Sequence, residues 1–272
     1  MINNNGSHPV VMVIGGMDPS GGAGLCADIQ ALSGMGCHAT PVVTALTVQD
    51  TSEVKSFELV DVDLIRAQMQ TVLDDISPTV IKTGMLGSKD IISVVSEVLR
   101  KQQGIQLIVD PVMSSNMNDS LSEHSLSETI KELLMPIAAL ISPNIPEAAA
   151  LAGKDLLNTI DSDECAALLY DKDSSCDCLI TGTHAESRQV INRYYQKGRI
   201  KKEWAWKRLQ FEYHGSGCTL ASAIAAGVAH GLNMEQAVDQ AQRYVIKCLE
   251  SGFKPGQGQH VPDRLCTGFS AK

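Results

Sequence analysis

Short apolar runs recur along the chain, and each is followed by residues with a helical pattern. The runs are rich in Val, Ile and Leu, and they cover residues 10–16, 39–49, 79–86, 107–113, 139–144 and 178–184. Continuous apolar strands that alternate with helices indicate a parallel sheet covered on both faces. The pattern therefore predicts a three-layer α/β/α sandwich with a mostly parallel central sheet, built as one domain over residues 1–272.

Capping residues predict where several helices begin and end. Asp63 is the expected N-cap of the helix that follows the second run. Another helix is expected from Ser88 to a stop at Gly104, and a third begins near Pro146 and ends at Gly153.

Three stretches lack the strand-then-helix pattern. Aromatic and charged residues alternate on both sides of Lys197 and Gly198, which predicts an antiparallel hairpin at the sheet edge. Residues 259–272 have no period and are expected to pack as a C-terminal tail. Residues 1–9 are polar and are expected to be disordered.

Composition and charge exclude several classes of partner. The net charge of −9 argues against nucleic-acid binding, because phosphate backbones are bound by clustered Lys and Arg. The one basic cluster, residues 197–208, belongs to the predicted hairpin and fits a solvated surface. No apolar run approaches the ~20 residues of a membrane span. The eight cysteines show no paired CxxC spacing and no apolar signal segment precedes them, so we expect free thiols and a cytoplasmic protein.

The first candidate for chemistry is "GGMDPSGGAGLCADIQALSGMG", residues 15–36, which follows the first strand and opens a helix. Its glycines allow a sharp turn and a close approach to a ligand, and Asp28 follows on the helix. The stretch is neither a Walker A motif nor a clean G-x-G-x-x-G. A tight strand-to-helix turn without a ligand is the alternative.

The second candidate is "HGSGCT", residues 214–219, which leads into a helix of small residues. Free backbone N–H groups and the helix dipole bind an anion at such a terminus, so Gly215, Ser216 and Gly217 form a candidate anion hole for a transferring phosphoryl group. Cys218 falls in the first turn, where its thiol pKa is expected to drop. It could act as a general base or orient a hydroxyl, or it could be a small core residue.

Polar residues at other strand ends are weaker candidates. Asn144 and Glu147 are spaced to hold Mg²⁺ through its waters, although both could instead cap the helix. The Gln49 amide could bind the edge of a heterocycle, as could the segment from Lys82 to Leu86. Single polar residues at the remaining strand ends, Asp110 and His184, could equally be structural.

Taken together, "GMDPSGGAGLCADIQ", "IKTGML", "VDPVM", "SPNIPEAAALAG" and "HGSGCTLASAIAAG" resemble the hydroxymethylpyrimidine/phosphomethylpyrimidine kinases of thiamine biosynthesis, within the ribokinase-like superfamily. The resemblance runs from about Val10 to Gly258. It implies a ribokinase-like fold and transfer of the ATP γ-phosphoryl group, with Mg²⁺, to 4-amino-5-hydroxymethyl-2-methylpyrimidine and then to its monophosphate.

The resemblance also implies roles for particular residues. It assigns Cys218 to the position of the catalytic base, with Gly215, Ser216 and Gly217 as the anion hole. The pyrimidine side comprises Gly16, Asp28, Gln49, Met85 and Val112. The nucleotide side comprises Asn144, Thr181 and His184, and the Mg²⁺ side Asn144 and Glu147.

This chain departs from the family pattern in two loops. "SSNMNDSLSEHS", residues 114–125, lacks the usual lysine, and Thr181 stands where a lysine is usual, although the basic hairpin at 197–208 could supply a cation. Two alternatives therefore stay open, a pyridoxal or pyridoxine kinase and a non-catalytic pyrimidine-binding protein. The sequence also leaves open whether the chain forms a homodimer and which loop closes over the site.

Overall fold

A single mixed sheet organises the protein. The computed structural model describes residues 8–113, 120–154, 161–172, 174–182 and 188–266. Within these ranges, nine strands form one sheet in the order β3-β2-β1-β4-β5-β6-β7-β8-β9. Their bounds are β1 Val10–Met17, β2 His38–Gln49, β3 Val54–Leu59, β4 Val80–Thr83, β5 Gln106–Val109, β6 Leu140–Ile141, β7 Asp177–Ile180, β8 Gln189–Gln196 and β9 Arg199–Lys207.

The pairing of these strands confirms a mostly parallel sheet. Parallel pairing joins the six consecutive strands β2-β1-β4-β5-β6-β7. The edge strands pair antiparallel, with β3 at one edge and β8 and β9 at the other. Short buried parallel strands joined by helices require right-handed crossovers, which place helices on both faces.

Helices cover the sheet on both sides, and this confirms the three-layer sandwich. The helices of the described ranges are α1 Gly24–Gly34, α2 Val62–Asp75, α3 Lys89–Arg100, α4 Ser120–Leu133, α5 Ile145–Leu151, α6 Ser162–Leu169, α7 Ser216–Ala229 and α8 Met234–Glu250. Val11 and Val13 of β1 pack with α1, α7 and α8, while Met12 and Ile14 pack with the layer formed by α2 to α6. This division follows from the two-residue period of a strand.

The predicted helix starts are correct with one exception. Ser88 caps α3, and its side chain accepts a hydrogen bond from the Ile91 N–H at 3.2 Å. The predicted cap at Asp63 is wrong, because the carboxylate of Asp61 accepts the N–H groups of Asp63 and Leu64 at 3.0 and 3.1 Å. Both aspartates suit an N-cap, and only the direction of the incoming chain distinguishes them.

The predicted edge hairpin is confirmed. β8 and β9 are joined at Lys197 and Gly198, which have φ values of 54° and 67°. Two successive residues with positive φ form the tight turn whose twist matches antiparallel strands.

One strand was not predicted. β3 pairs with the last residues of β2, from Ala45 to Gln49, whereas β1 pairs with β2 only as far as Leu46. The end of this antiparallel pair of strands, which we call the β2–β3 ribbon, therefore extends beyond β1, the next strand of the sheet.

The chain ends behave differently from one another. Of residues 1–9, the structure describes two, and the Pro9 carbonyl accepts the His38 N–H at 2.8 Å. In the tail, Val261 forms an isolated bridge with Phe253 and Arg264 donates to Gln30 of α1, so residues 259–266, the part of the tail that the structure describes, pack as a loop as predicted. No helix within the described ranges is long and apolar enough to cross a membrane.

Candidate active site

The candidate residues gather at the carboxyl edge of the parallel strands, where open α/β sheets bind ligands. This edge is where the parallel strands β1, β4, β5, β6 and β7 end. The N-termini of α1 and α7 point to it. Two helix N-termini that face one edge create a region suited to an anion.

The loops before α1 and α7 are tied together by Asp18. Its carboxylate accepts the Ser20 and Ala23 N–H groups, each at 2.8 Å, and its Oδ2 lies 3.0 Å from His214 Nε2. Burial opposes ionisation of Asp18, but the hydrogen bonds from His214, Ser20 and Ala23 outweigh it and hold the pKa well below its usual range. Asp18 therefore carries a permanent negative charge that fixes both loops.

Gly215 makes the close approach of these loops sterically feasible. It is the N-cap of α7 with φ 79°, a left-handed conformation that favours glycine. A Cβ at this position would collide with the Gly22 carbonyl. Ser216, Gly217 and Cys218 are then the first three residues of α7, whose N–H groups have no partner within the helix. The structure thus brings the four predicted residues of "HGSGCT" together at one helix terminus.

Cys218 lies where the sequence placed it, but the prediction of a lowered thiol pKa is wrong. Burial raises the pKa of Cys218 to about 12, and the carboxylates of Asp110 and Asp28 add to this, against the opposing effects of Lys82 and a hydrogen bond from the Gly24 backbone. Removal of the thiol from water outweighs the helix dipole here. Cys218 is consequently a neutral thiol in the free protein.

A buried ion cluster lies beside Cys218. Lys82 Nζ donates to the two carboxylate oxygens of Asp28 at 2.9 and 3.2 Å, and Ser222 Oγ donates to Asp28 Oδ1 at 2.8 Å. Burial disfavours the Lys82 ammonium, but the charges of Asp28 and Asp110 outweigh it and raise the Lys82 pKa above its ordinary value. Asp28 is 1% exposed and faces this cluster, so its assignment to the pyrimidine stays a prediction.

Asp110, the residue directly after β5, provides a carboxylate oxygen suited to a cation. Its Oδ2 is 3.3 Å from Lys82 Nζ yet has no hydrogen-bond partner among the described residues. Buried polar atoms are rarely left unpaired, and a hard cation prefers oxygen ligands. From the sequence, Asp110 is only a polar residue at a strand end, because a single Asp does not show which groups of other strands will face it.

Glu147 and Asn144 are occupied by each other in a capping box. The Asn144 N–H donates to Glu147 Oε2 and the Glu147 N–H donates to Asn144 Oδ1, both at 2.9 Å. Burial raises the pKa of Glu147 to about 8, with a further rise from Asp110 and a smaller opposing effect of the Asn144 backbone. The capping alternative is thus present, and a role in Mg²⁺ binding stays a prediction. Within the described ranges, no three His, Cys, Asp or Glu residues form a metal cluster.

Two of the predicted pyrimidine residues are in contact. A Cβ at Gly16 would lie 3.3 Å from Met85 Sδ, and the Met85 carbonyl accepts the Thr44 hydroxyl at 2.6 Å. Val112 lies just beyond β5 and is half-buried. Gln49 ends β2 four residues beyond Ala45, the partner of Gly16, which is about 13 Å along a strand. Gln49 therefore reaches the pyrimidine region only if the β2–β3 ribbon folds over it.

A cavity of about 550 Å³ adjoins the start of α7. Thr181 lines it together with Ser216 and Gly217, and so do Lys207 and Arg208 of the hairpin end. Thr181 also forms a parallel bridge with Asn144, so two residues of the predicted nucleotide side are adjacent. The basic hairpin supplies cations to this cavity, as the sequence suggested. His184 and residues 114–119 lie outside the described residues.

An α/β/α sandwich with paired helix N-termini at the strand ends, next to a nucleotide-sized cavity, agrees with the ribokinase-like kinase fold that the sequence resemblance implies, and solved pyridoxal kinases share this fold. The family model of phosphomethylpyrimidine kinase matches residues 18–263. The chain belongs to this family, and it is a phosphotransferase.

Individual relatives agree with this assignment. A hydroxymethylpyrimidine/phosphomethylpyrimidine kinase of Mycobacterium tuberculosis is 35% identical over 256 residues, which cover 93% of this chain and 92% of that protein. A probable chloroplastic thiamine biosynthetic bifunctional enzyme of Oryza sativa subsp. japonica is 36% identical over 89% of this chain, and the match spans 44% of the rice protein. The pyridoxal kinase of Staphylococcus aureus in complex with AMP-PCP and pyridoxal superposes with a TM-score of 0.81 at 28% identity, covering 95% of this chain and 94% of that one.

Proposed function

We propose that this kinase transfers the γ-phosphoryl group of ATP, with Mg²⁺, to 4-amino-5-hydroxymethyl-2-methylpyrimidine and then to its monophosphate, in thiamine biosynthesis. The observation that carries the proposal is the convergence of the α1 and α7 N-termini on Cys218. Gly16 and Met85 lie next to each other at the same strand edge, and the cavity at Ser216 and Gly217 adjoins the start of α7.

The protein's own groups divide the work of phosphoryl transfer. At the predicted anion hole of Gly215, Ser216 and Gly217, the first N–H groups of α7 stabilise negative charge on the transferred group. Cys218, a neutral thiol at rest, orients the substrate hydroxyl through a hydrogen bond, and the hydroxyl proton passes to an oxygen of the transferred phosphoryl group, because a loose transition state needs positioning more than a strong base. Lys207 and Arg208, at the cavity wall, attract the nucleotide phosphates.

Asp110 is the residue that favours a divalent cation in this site. Its Oδ2, which has no hydrogen-bond partner among the described residues, and the Glu147 carboxyl, which Asp110 influences electrostatically, offer hard oxygen ligands for a cation that keeps several waters. When bound there, Mg²⁺ neutralises charge on the nucleotide phosphates.

The test is a coupled assay of ADP release with the hydroxymethylpyrimidine, its monophosphate and pyridoxal supplied separately. We expect Mg²⁺-dependent turnover of both pyrimidines and a kcat/KM for pyridoxal at least about tenfold lower. Absence of turnover with either pyrimidine would remove the proposal.

Pyridoxal is a second candidate substrate because of the similarity to the S. aureus pyridoxal kinase. Both rings carry a hydroxymethyl group, so the same site could position either. A higher kcat/KM for pyridoxal than for the pyrimidine would establish this alternative. The family assignment favours a kinase over a non-catalytic pyrimidine-binding protein.

We place the reaction in the cytoplasm, which the eight free thiols support. A homodimer stays a prediction, to be checked by sedimentation.

A further inference from the structure

Arg264 is the largest of the fully buried side chains in the described part of the chain, with 2% of its surface exposed. It lies in the C-terminal tail, 45 residues beyond Thr219 of α7, in a segment without periodicity. The Tyr244 hydroxyl of α8 donates to the Arg264 carbonyl at 2.6 Å, which fixes this part of the tail. The sequence offered no reason to expect a buried cation here.

The guanidinium binds both loops of the candidate active site. Its Nε donates to Thr219 Oγ1 at 2.8 Å, and Thr219 Oγ1 in turn donates to the Gly215 carbonyl at 2.7 Å. On the other side, Nη2 donates to the Gly22 carbonyl and Nη1 donates to Gln30 Oε1 at 3.0 Å. One side chain thus spans the first turn of α7 and the Gly-rich turn before α1.

In the part of the chain that the structure describes, no carboxylate forms an ion pair with Arg264, and Asp28 acts on it only at a distance. Among the described residues, the ion pairs within 4.0 Å do not include it, and its hydrogen-bond acceptors are carbonyl, hydroxyl and amide oxygens. A buried unpaired charge is costly, and a hydroxyl or amide donor would suffice if these contacts only held the loops. A cation in this place therefore points to a negative charge that arrives with the ligand.

We propose that Arg264 is a positioning residue of the phosphoryl-transfer site. The two-sided hydrogen bonding of its guanidinium group, which we call its fork, holds the turns at 18–23 and 214–219 at the spacing that the transferred group requires. Its charge makes the electrostatic potential at the anion hole, Gly215–Gly217, more positive. This inference rests on the proposed function.

The test combines turnover with anion binding. In Arg264→Ala, we expect kcat to fall about 100-fold, with the KM for the pyrimidine changed by less than about threefold, since the hydrogen bonds of Arg264 do not include Gly16 or Met85. Added guanidinium should restore part of the lost rate. Arg264→Lys should keep most of the affinity for pyrophosphate, measured by calorimetry, but not the rate, because Lys lacks the fork. The control is Arg243→Ala, an exposed arginine paired with Asp239 on α8.

Thr219→Val provides a second variant in case Arg264→Ala does not fold. It keeps the charge and the volume but removes the link from Arg264 to α7, and we expect kcat to fall about tenfold. The proposal would be overturned if kcat of Arg264→Ala stays within about threefold of wild type, or if its rate falls and guanidinium does not rescue it. If Arg264→Ala does not fold, a kcat of Thr219→Val within about threefold of wild type would overturn the proposal.

Pyrophosphate binding separates this inference from the proposed function. If the wild-type protein phosphorylates none of the three substrates, the proposed function fails. Pyrophosphate binding that is about tenfold weaker in Arg264→Ala than in wild type would then still support the anion role, whereas equal binding, or no binding by the wild type, would overturn it.

Discussion

Cys218 shows how far the surroundings of one side chain can override its position. A helix N-terminus lowers a thiol pKa, yet burial and two nearby carboxylates leave this thiol neutral. The residue is therefore suited to holding the substrate hydroxyl in place through a hydrogen bond, and unsuited to acting as a standing thiolate base or nucleophile.

Replacing Cys218 tests this role. In Cys218→Ala, we expect kcat to fall about 100-fold, the range that misplacing a reacting group costs, while the KM for the pyrimidine changes by less than about threefold. Steady-state ADP release measures both values. Cys266→Ala, which removes an exposed thiol, is the control. An unchanged kcat in Cys218→Ala would exclude the thiol from the chemistry.

Glu147 should make stability depend on pH. Its folded pKa of about 8 lies above the ordinary value of 4.5, so between these values the folded protein holds a proton that the unfolded chain has released. The stabilising contribution is complete below about pH 4.5 and is lost as the pH rises towards 8. Glu147→Gln preserves the capping box and removes this titration.

The measurement is the unfolding midpoint of the ligand-free protein across that pH range. We expect the midpoint of Glu147→Gln, relative to wild type, to increase steadily as the pH rises. Glu58→Gln, at an exposed position on β3, serves as the control. Parallel curves for Glu147→Gln and wild type would show that the carboxyl is already ionised in the folded state.

At the scale of secondary-structure elements, the turn of the edge hairpin has an unfavourable backbone conformation at Lys197, which a substitution can relieve. Lys197 has φ 54°, a conformation that Asn adopts more readily than Lys, and Asn-Gly is a preferred pair in such turns. We therefore expect Lys197→Asn to raise the free energy of unfolding by about 0.5 kcal/mol. Urea denaturation measures the change, and Lys201→Asn, at an exposed strand position, should not reproduce the gain. A loss of stability in Lys197→Asn would contradict the turn assignment.

At the scale of the whole molecule, the C-terminal tail connects parts that are far apart in sequence. The Gly258 and Gln259 N–H groups donate to Thr51 at the tip of the β2–β3 ribbon, each at 2.9 Å. His260 exchanges backbone hydrogen bonds with the loop before α7, at 2.8 and 3.0 Å. The tail thus couples the ribbon that carries Gln49 to the anion-binding turn.

Gly258→Val tests this coupling. A Cβ at Gly258 would collide with the Thr51 backbone, so the tail must leave the ribbon, at an expected cost of about 1–3 kcal/mol. Because the ribbon then loses its support, we also expect the KM for the pyrimidine to rise more than kcat falls. Gln257→Val, at the exposed neighbouring position, is the control. Unchanged kinetics in Gly258→Val would show that the ribbon holds its place without the tail.

Local patterns determined much of this protein. The apolar runs located β1 and β2, the alternation around Lys197 located the hairpin, and "HGSGCT" located a helix N-terminus with Cys218 in its first turn. These features depend on residues that are neighbours in the chain, so their period and turn chemistry can be recognised without knowing what packs against them.

Only the tertiary structure decided the rest. Asp61 rather than Asp63 caps α2, and the Cys218 pKa rises rather than falls. The ion cluster around Lys82 and the buried Arg264 were likewise not predictable. Each depends on groups brought together from distant parts of the chain and on how completely they are removed from water. Desolvation and long-range pairing are properties of the folded surroundings, and a sequence pattern of a few residues does not contain them.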